Sequence, residues 1–146
     1  MKTKTLYILL VIVSLFIVGC KKDNIKEVES SVKIVIDEKE FIIDLEDNET
    51  VKSFINMLPL ELNMKELNGN EKYVYLDKSL PTNSYNPKHI EKGDVMIYGN
   101  NCLVIFYKSF DTSYSYTKIG HINNLENLDN ENINVKIKED NHEKKI

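Results

Sequence analysis

The sequence predicts a mainly β domain, a small closed β-barrel with one capping α-helix. Three observations point there. Residues 93–110 read Gly-Asp-Val-Met-Ile-Tyr-Gly-Asn-Asn-Cys-Leu-Val-Ile-Phe-Tyr-Lys-Ser-Phe, two apolar arms around Gly99, Asn100 and Asn101. Glycine and asparagine tolerate positive φ, so this stretch is a hairpin signal. Its second arm is apolar on both faces: Cys102, Val104 and Phe106 alternate with Leu103, Ile105 and Tyr107. Such a strand is central and needs cover on both sides. Elsewhere the apolar runs are short and alternate with period two, and a single stretch has helical spacing.

Taken in order, Val32, Ile34 and Ile36 alternate with Lys33, Val35 and Asp37. Glu38 and Lys39 read as a short turn, and Phe41, Ile43 and Leu45 alternate with Ile42 and Asp44. This is a first hairpin with Phe41 facing inward. Residues 46–50, Glu-Asp-Asn-Glu-Thr, offer a helix cap and acids that complement the N-terminal dipole. Val51, Phe54, Ile55 and Leu58 follow helical spacing, and Pro59 ends the run. The helix covers an open end or face of the barrel, and its apolar stripe is core packing. Residues 60–64 alternate as a strand, Asn68-Gly69-Asn70 is a turn, and 73–76 is a short strand.

Residues 77–92 form the longest stretch without periodicity and contain Pro81, Tyr85, Asn86 and Pro87. A loop of this length in a compact domain is functional or disordered, and its aromatic and prolines favour an ordered loop pinned against the body. After the central hairpin, 111–117 is hydroxyl-rich, 118–122 continues as strand, and 123–132 is an acidic connection with a helical turn around 125–128. Residues 134–138 close the sheet, and 139–146 are a charged tail. The length of 146 residues fits one domain, and no internal repeat is present.

All 19 basic residues are Lys, and the net charge is -4. The charges are spread along the chain without a basic stripe, which argues against nucleic acid as a partner. Lys2 and Lys4 precede an apolar run at 6–18 broken only by Ser14. That run is short of the ~20 residues of a transmembrane helix and fits a secretory core region. It ends Ile17-Val18-Gly19-Cys20, which resembles the bacterial lipobox. The resemblance implies a 1–19 signal peptide cut after Gly19 and a diacylglyceryl group on Cys20. The protein would then be lipid-anchored to the cell membrane on its extracytoplasmic face, each buried methylene contributing about 0.8 kcal/mol. An ordinary signal peptide or an uncleaved anchor is the alternative. Residues 20–31 are polar and read as a flexible tether that lifts a 32–138 domain off the membrane. With Cys20 acylated, Cys102 has no disulfide partner and reads as a buried small hydrophobe.

Several longer motifs stand in an informative order. They are Leu-Glu-Asp-Asn-Glu-Thr at 45–50, Met-Leu-Pro-Leu at 57–60, Asn-Gly-Asn-Glu-Lys-Tyr at 68–73 and Leu-Pro-Thr-Asn-Ser-Tyr-Asn-Pro at 80–87. Gly-Asp-Val-Met-Ile-Tyr-Gly-Asn-Asn-Cys-Leu at 93–103, Phe-Tyr-Lys-Ser-Phe at 106–110 and Ser-Tyr-Ser-Tyr-Thr-Lys-Ile-Gly at 113–120 follow. Together they resemble the bacterial cyclophilin-like fold family over residues 32–138. The resemblance implies a compact β-barrel with a capping helix, and for most of the family no known activity. True cyclophilins are peptidyl-prolyl isomerases that rely on an Arg to hydrogen-bond the twisting prolyl amide. This chain contains neither Arg nor Trp, and Lys lacks the guanidinium fork.

No other motif specifies a reaction. His89, His121 and His142 stand in no metal-ligating pattern, and no nucleophile elbow, phosphate loop or dinucleotide fingerprint is present. The expectation is no metal and no cofactor. His121 reads as a surface or edge residue, and Glu91 and Asp94 as a solvated turn. One constellation remains: Tyr85, Asn86, Tyr98, Tyr107, Ser109, Ser113, Tyr114 and Tyr116, dense in rings and hydroxyls. Loops on one side of a barrel form ligand mouths, and Tyr rings stack while their hydroxyls orient a polar ligand. The bland alternative is that these residues pack the barrel ends. Three functions follow: a tethered module binding a small molecule or extended peptide, a weak prolyl isomerase, or a purely structural lipoprotein. The sequence leaves the oligomeric state open.

Overall fold

The computed structural model describes residues 30–140. The expected 1–19 leader, the expected lipid site Cys20, the expected tether up to residue 29 and tail residues 141–146 lie outside the described residues. The elements run β1 (Ser31–Ile36), β2 (Lys39–Leu45), α1 (Glu49–Ile55), β3 (Leu60–Leu67), β4 (Glu71–Tyr75), β5 (His89–Ile90), β6 (Asp94–Tyr98), β7 (Cys102–Phe106), β8 (Phe110–Asp111), β9 (Thr117–Ile122) and β10 (Asn132–Glu139). Eight strands close into an antiparallel barrel in the order β1-β10-β3-β4-β7-β6-β9-β2, while β5 pairs with β8 outside it. The predicted mainly β barrel with one short helix is thus the fold observed.

Alternation along each strand sorts side chains into and out of the barrel. Val32, Ile34, Ile36, Ile43, Met64, Val95, Ile97, Leu103, Ile105, Ile119, Ile133, Val135 and Ile137 are buried in one cluster that fills the interior. Phe41 packs at its edge, as predicted. A second cluster lies on the outer face: Met96 of β6 and Cys102, Val104 and Phe106 of β7 are covered by Ile90 and Tyr116, with Tyr73 and Phe110 at the edge. This second layer is why the central strand is apolar on both faces.

Helix α1 starts where Asn48 Oδ1 accepts from the Val51 N–H at 2.8 Å. The Asn48 amide also donates to the Lys118 carbonyl at 2.9 Å, so the cap fastens the helix to β9. Val51 and Phe54 are fully buried, and burying a side chain of the Phe54 class contributes about 1.5–3 kcal/mol. The Thr50 hydroxyl donates to the Pro81 carbonyl at 2.6 Å, tying down the long loop. The Leu76 and Leu80 N–H groups donate to the carbonyls of Asn101 and Asn100. The loop is therefore ordered and pinned.

Several local expectations change. Helix α1 ends at Ile55, leaving Leu58 outside it, and β10 runs from Asn132 to Glu139, taking in residues read as connection and tail. The first hairpin turns at Asp37 and Glu38, both with positive φ, one residue earlier than expected. Asp37 fits there because its carboxylate accepts from the Asn134 N–H at 2.9 Å and the Asn130 amide at 3.0 Å. Strand β3 runs on to Leu67, since Lys65, Glu66 and Leu67 pair with Tyr73, Lys72 and Glu71. Residues 125–128 form no helical turn; Leu125 and Leu128 are instead buried against the core in an irregular segment. Asp94 is not solvated: it is 3 % exposed. Its carboxylate meets His121 Nδ1 at 3.0 Å and Lys118 Nζ at 3.2 Å, and accepts from the Glu91 N–H at 3.0 Å.

Candidate functional site

Buried apolar side chains fill the interior, and a groove lies on the outer wall. In β4, Glu71, Tyr73 and Tyr75 stand opposite Phe106, Val104 and Cys102 of β7. Tyr98 of β6 stands opposite Cys102 from the other side. These outward side chains form the floor of a groove of about 460 Å³. The β3–β4 turn at Leu67, Asn68 and Asn70 makes one rim, and residues 110–114 make the other. That volume falls in the range of small-ligand sites.

The aromatic walls brace one another. Tyr98 meets Tyr114 edge-on at 6.1 Å between centroids and Tyr116 at 5.7 Å. Tyr73 meets Tyr75 at 6.0 Å. Phe106 anchors the floor against Phe110 and Tyr116 at 5.6 and 5.5 Å. Despite this bracing, Tyr75 is 65 % exposed, Tyr98 47 % and Tyr114 61 %. Exposed rings collected in one concavity make it a candidate interaction surface, whereas scattered ones need no explanation.

Of the eight residues singled out from the sequence, Tyr98, Ser113, Tyr114 and Tyr116 line this groove. Asn86 supports its rim: its amide donates to the Ser113 carbonyl at 3.1 Å, and its Oδ1 accepts from the Lys88 N–H at 2.7 Å. Tyr85 bridges to Tyr116 through the backbone but lies along a neighbouring groove beside the helix start. Ser109 Oγ accepts from the Lys92 N–H at 2.8 Å and staples a loop. Tyr107 points to the opposite side of its strand, where its hydroxyl donates to Glu66 Oε2 at 2.9 Å. Burial, and next the hydrogen bond to Glu66, push that phenol up to about 12.

Sequence reasoning missed Glu71, Tyr73 and Tyr75. The signal was present as Glu-x-Tyr-x-Tyr, but only the pairing with β7 places it beside Tyr98. Cys102 is the buried small side chain expected, and burial, followed by the nearby Glu71 charge, raises its thiol. Among the described residues no cluster of three metal-ligating side chains occurs.

Glu71 is the unusual member. It is 8 % exposed, and burial, reinforced by repulsion from Glu66, pushes its carboxyl up to about 7. The unfolded chain would titrate this group near 4.5, so between those values the folded state holds a proton that the unfolded state has released. Stability should therefore fall as pH rises from about 4.5 to 7, by on the order of 3 kcal/mol. His89, raised by its hydrogen bond to Asp111, acts in the same direction near neutrality, so the Glu71→Gln difference isolates the Glu71 part. Urea unfolding at pH 5, 6, 7 and 8 should show Glu71→Gln with a flatter profile and higher stability at pH 8. Parallel profiles for the two proteins would remove the argument.

Fold and groove together define a filled antiparallel barrel with a ligand-sized concavity on its outer wall. The chain belongs to the cyclophilin-like family, whose model matches residues 34–138. A hypothetical protein from Archaeoglobus fulgidus, solved in solution, has a similar structure, with TM-score 0.54 and 20% sequence identity. The similarity covers 77% of this chain and 95% of that one and extends to the fold. No curated protein matches the chain.

Proposed function

We propose that this chain is a lipid-anchored binding module that holds a small molecule or an extended peptide in the outer-wall groove. The observation that carries the reading is the set of exposed rings of Tyr75, Tyr98 and Tyr114 around a buried floor, with Tyr73 bracing Tyr75, and Tyr114 and Tyr116 bracing Tyr98. Rings of this kind give a ligand apolar area while their hydroxyls set its orientation. The anchor rests on the 1–20 segment of the sequence, with Cys20 as the lipid attachment site. Binding is favoured over prolyl isomerisation because the groove lining carries no Lys or Arg to meet a twisting amide.

The test uses the full chain in maltoside micelles and amide NMR shifts. Titration with a panel of short peptides, half of them with Xaa-Pro bonds, should move the amides of residues 98 and 113–116. Tyr114→Ala should abolish those shifts without changing the rest of the spectrum. Shifts scattered away from the groove, or none with any peptide, would end the binding reading. Exchange between cis and trans prolyl signals takes tens to hundreds of seconds uncatalysed. Acceleration that is lost in Tyr98→Ala would replace binding by isomerase activity. Cys20→Ser should move the chain from the membrane to the soluble fraction.

A further inference from the structure

The groove has a charge pattern that shape alone does not explain. Its ionisable acids are Glu71 and Asp111, and no Lys, Arg or His lines it. One Asp111 oxygen is engaged by His89 Nδ1 at 2.6 Å. The Glu71 carboxylate has no hydrogen bond or ion pair among the described residues, although the residue is more than nine-tenths buried. The contrast with Glu66, on the neighbouring strand, is direct. Glu66 Oε2 is held by the Lys72 ammonium at 2.5 Å and the Tyr107 hydroxyl at 2.9 Å. Glu66 is only partly buried and has donors on one oxygen, whereas the better-buried Glu71 has none among the described residues and lines the groove.

A buried carboxylate without donors is unfavourable, and ring faces carry the negative end of the aromatic quadrupole. Five tyrosines, at 73, 75, 98, 114 and 116, line the same groove as Glu71. An anionic ligand would meet repulsion, and a neutral one would meet Glu71 through hydrogen bonds alone, without charge pairing. A cation meets both requirements, because its charge pairs with the acid and its stem lies against the rings. We propose that the groove receives a guanidinium or ammonium group, the side chain of a basic peptide residue or a free amine, with Glu71 as its counter-ion and Tyr98 and Tyr114 as its walls. This rests on the outer-wall binding reading and names the chemical class of its ligand.

The experiment compares N-acetyl-arginine amide with N-acetyl-citrulline amide, a neutral compound of nearly the same shape. Both are titrated into the full chain in maltoside micelles, with amide shifts of the groove residues as readout. The arginine compound should bind at least about tenfold more tightly. Glu71→Gln, which keeps the shape and removes the charge, should weaken the arginine compound by a similar factor and leave the citrulline compound unchanged. Tyr114→Ala should weaken the arginine compound as well, while Tyr85→Ala, outside the groove, should not. Equal binding of the two compounds, or an arginine affinity unaltered in Glu71→Gln, overturns the cation assignment and leaves the groove a neutral binding site. Binding of neither compound at millimolar concentration also overturns it, and the peptide panel then decides separately whether the groove binds at all.

Discussion

Lys72→Met should destabilise the domain by about 3–5 kcal/mol, a large share of the 5–15 kcal/mol typical of a whole domain. The lysine is 1 % exposed. Its ammonium pairs with Glu66 at 2.5 Å, donates to the Asn130 carbonyl and lies 5.1 Å from the Tyr107 ring centroid. Burial alone would raise the Glu66 carboxyl, but the hydrogen bonds from Lys72 and Tyr107, with the Lys72 charge, outweigh it and hold it below the ordinary value. The pair therefore adds stability above about pH 4.5, and this is lost as pH falls through the lowered folded value. Methionine fills the space but leaves Glu66 charged, partly buried and without its cation. Two further measurements separate this from a packing defect. The stability gap between Lys72→Met and the unaltered protein should narrow on acidification, as Glu66 becomes neutral in the variant. The double variant Lys72→Met/Glu66→Leu should recover most of the loss in urea unfolding at pH 7. A double variant as unstable as the single one would show that methionine itself does not fit.

Gly93→Ala should cost about 3 kcal/mol or more. Gly93 has φ +103°, and a Cβ there would stand 2.3 Å from the Ile122 carbonyl oxygen and 2.9 Å from the His121 ring. The backbone cannot retreat, because the Gly93 N–H donates to the Phe106 carbonyl at 2.8 Å and its own carbonyl accepts from the Ile122 N–H at 2.8 Å. These bonds join the strands that carry both the inner core and the groove floor. Gly69→Ala is the control: its φ is +69°, but nothing lies within 4 Å of the added carbon. It should cost only the left-handed penalty of about 1–2 kcal/mol. Equal losses in the two variants would mean that the clash at Gly93 is relieved by a shift elsewhere.

Local rules carry a long way in this chain. Period-two alternation identified β1 and β2, and the apolar arms around Gly99 identified β6 and β7. The helical spacing of Val51, Phe54, Ile55 and Leu58 identified α1, which ends at Ile55 and takes Asn48 from the 46–50 stretch as its cap. These succeed because burial of one face imposes the period on the residues themselves. The failures fall where burial comes from distant partners. Leu125 and Leu128 have helical spacing, yet the segment is shaped by its contact with the core and by Asn124 at φ 56°. Asp94 looks like a turn acid until β9 brings Lys118 and His121 to it.

The candidate site divides in the same way. A high local density of Tyr was visible in the sequence, and it led to Tyr98, Ser113, Tyr114 and Tyr116. Density says nothing of which side a ring faces: Tyr98 and Tyr107 sit on opposite sides of the wall because β6 and β7 pair as Tyr98 with Cys102. By itself the sequence determined a both-faces-apolar hairpin, one capped helix, a barrel-forming pattern and membership of the cyclophilin-like family. Only the tertiary structure decided that the barrel is filled, that the concavity lies on its outer wall, and that Glu71 opens into it while Lys72 neutralises Glu66 on the other face. The physical reason is that a strand's pattern records how much of each face is buried, whereas charge pairing depends on registers between strands far apart in the chain.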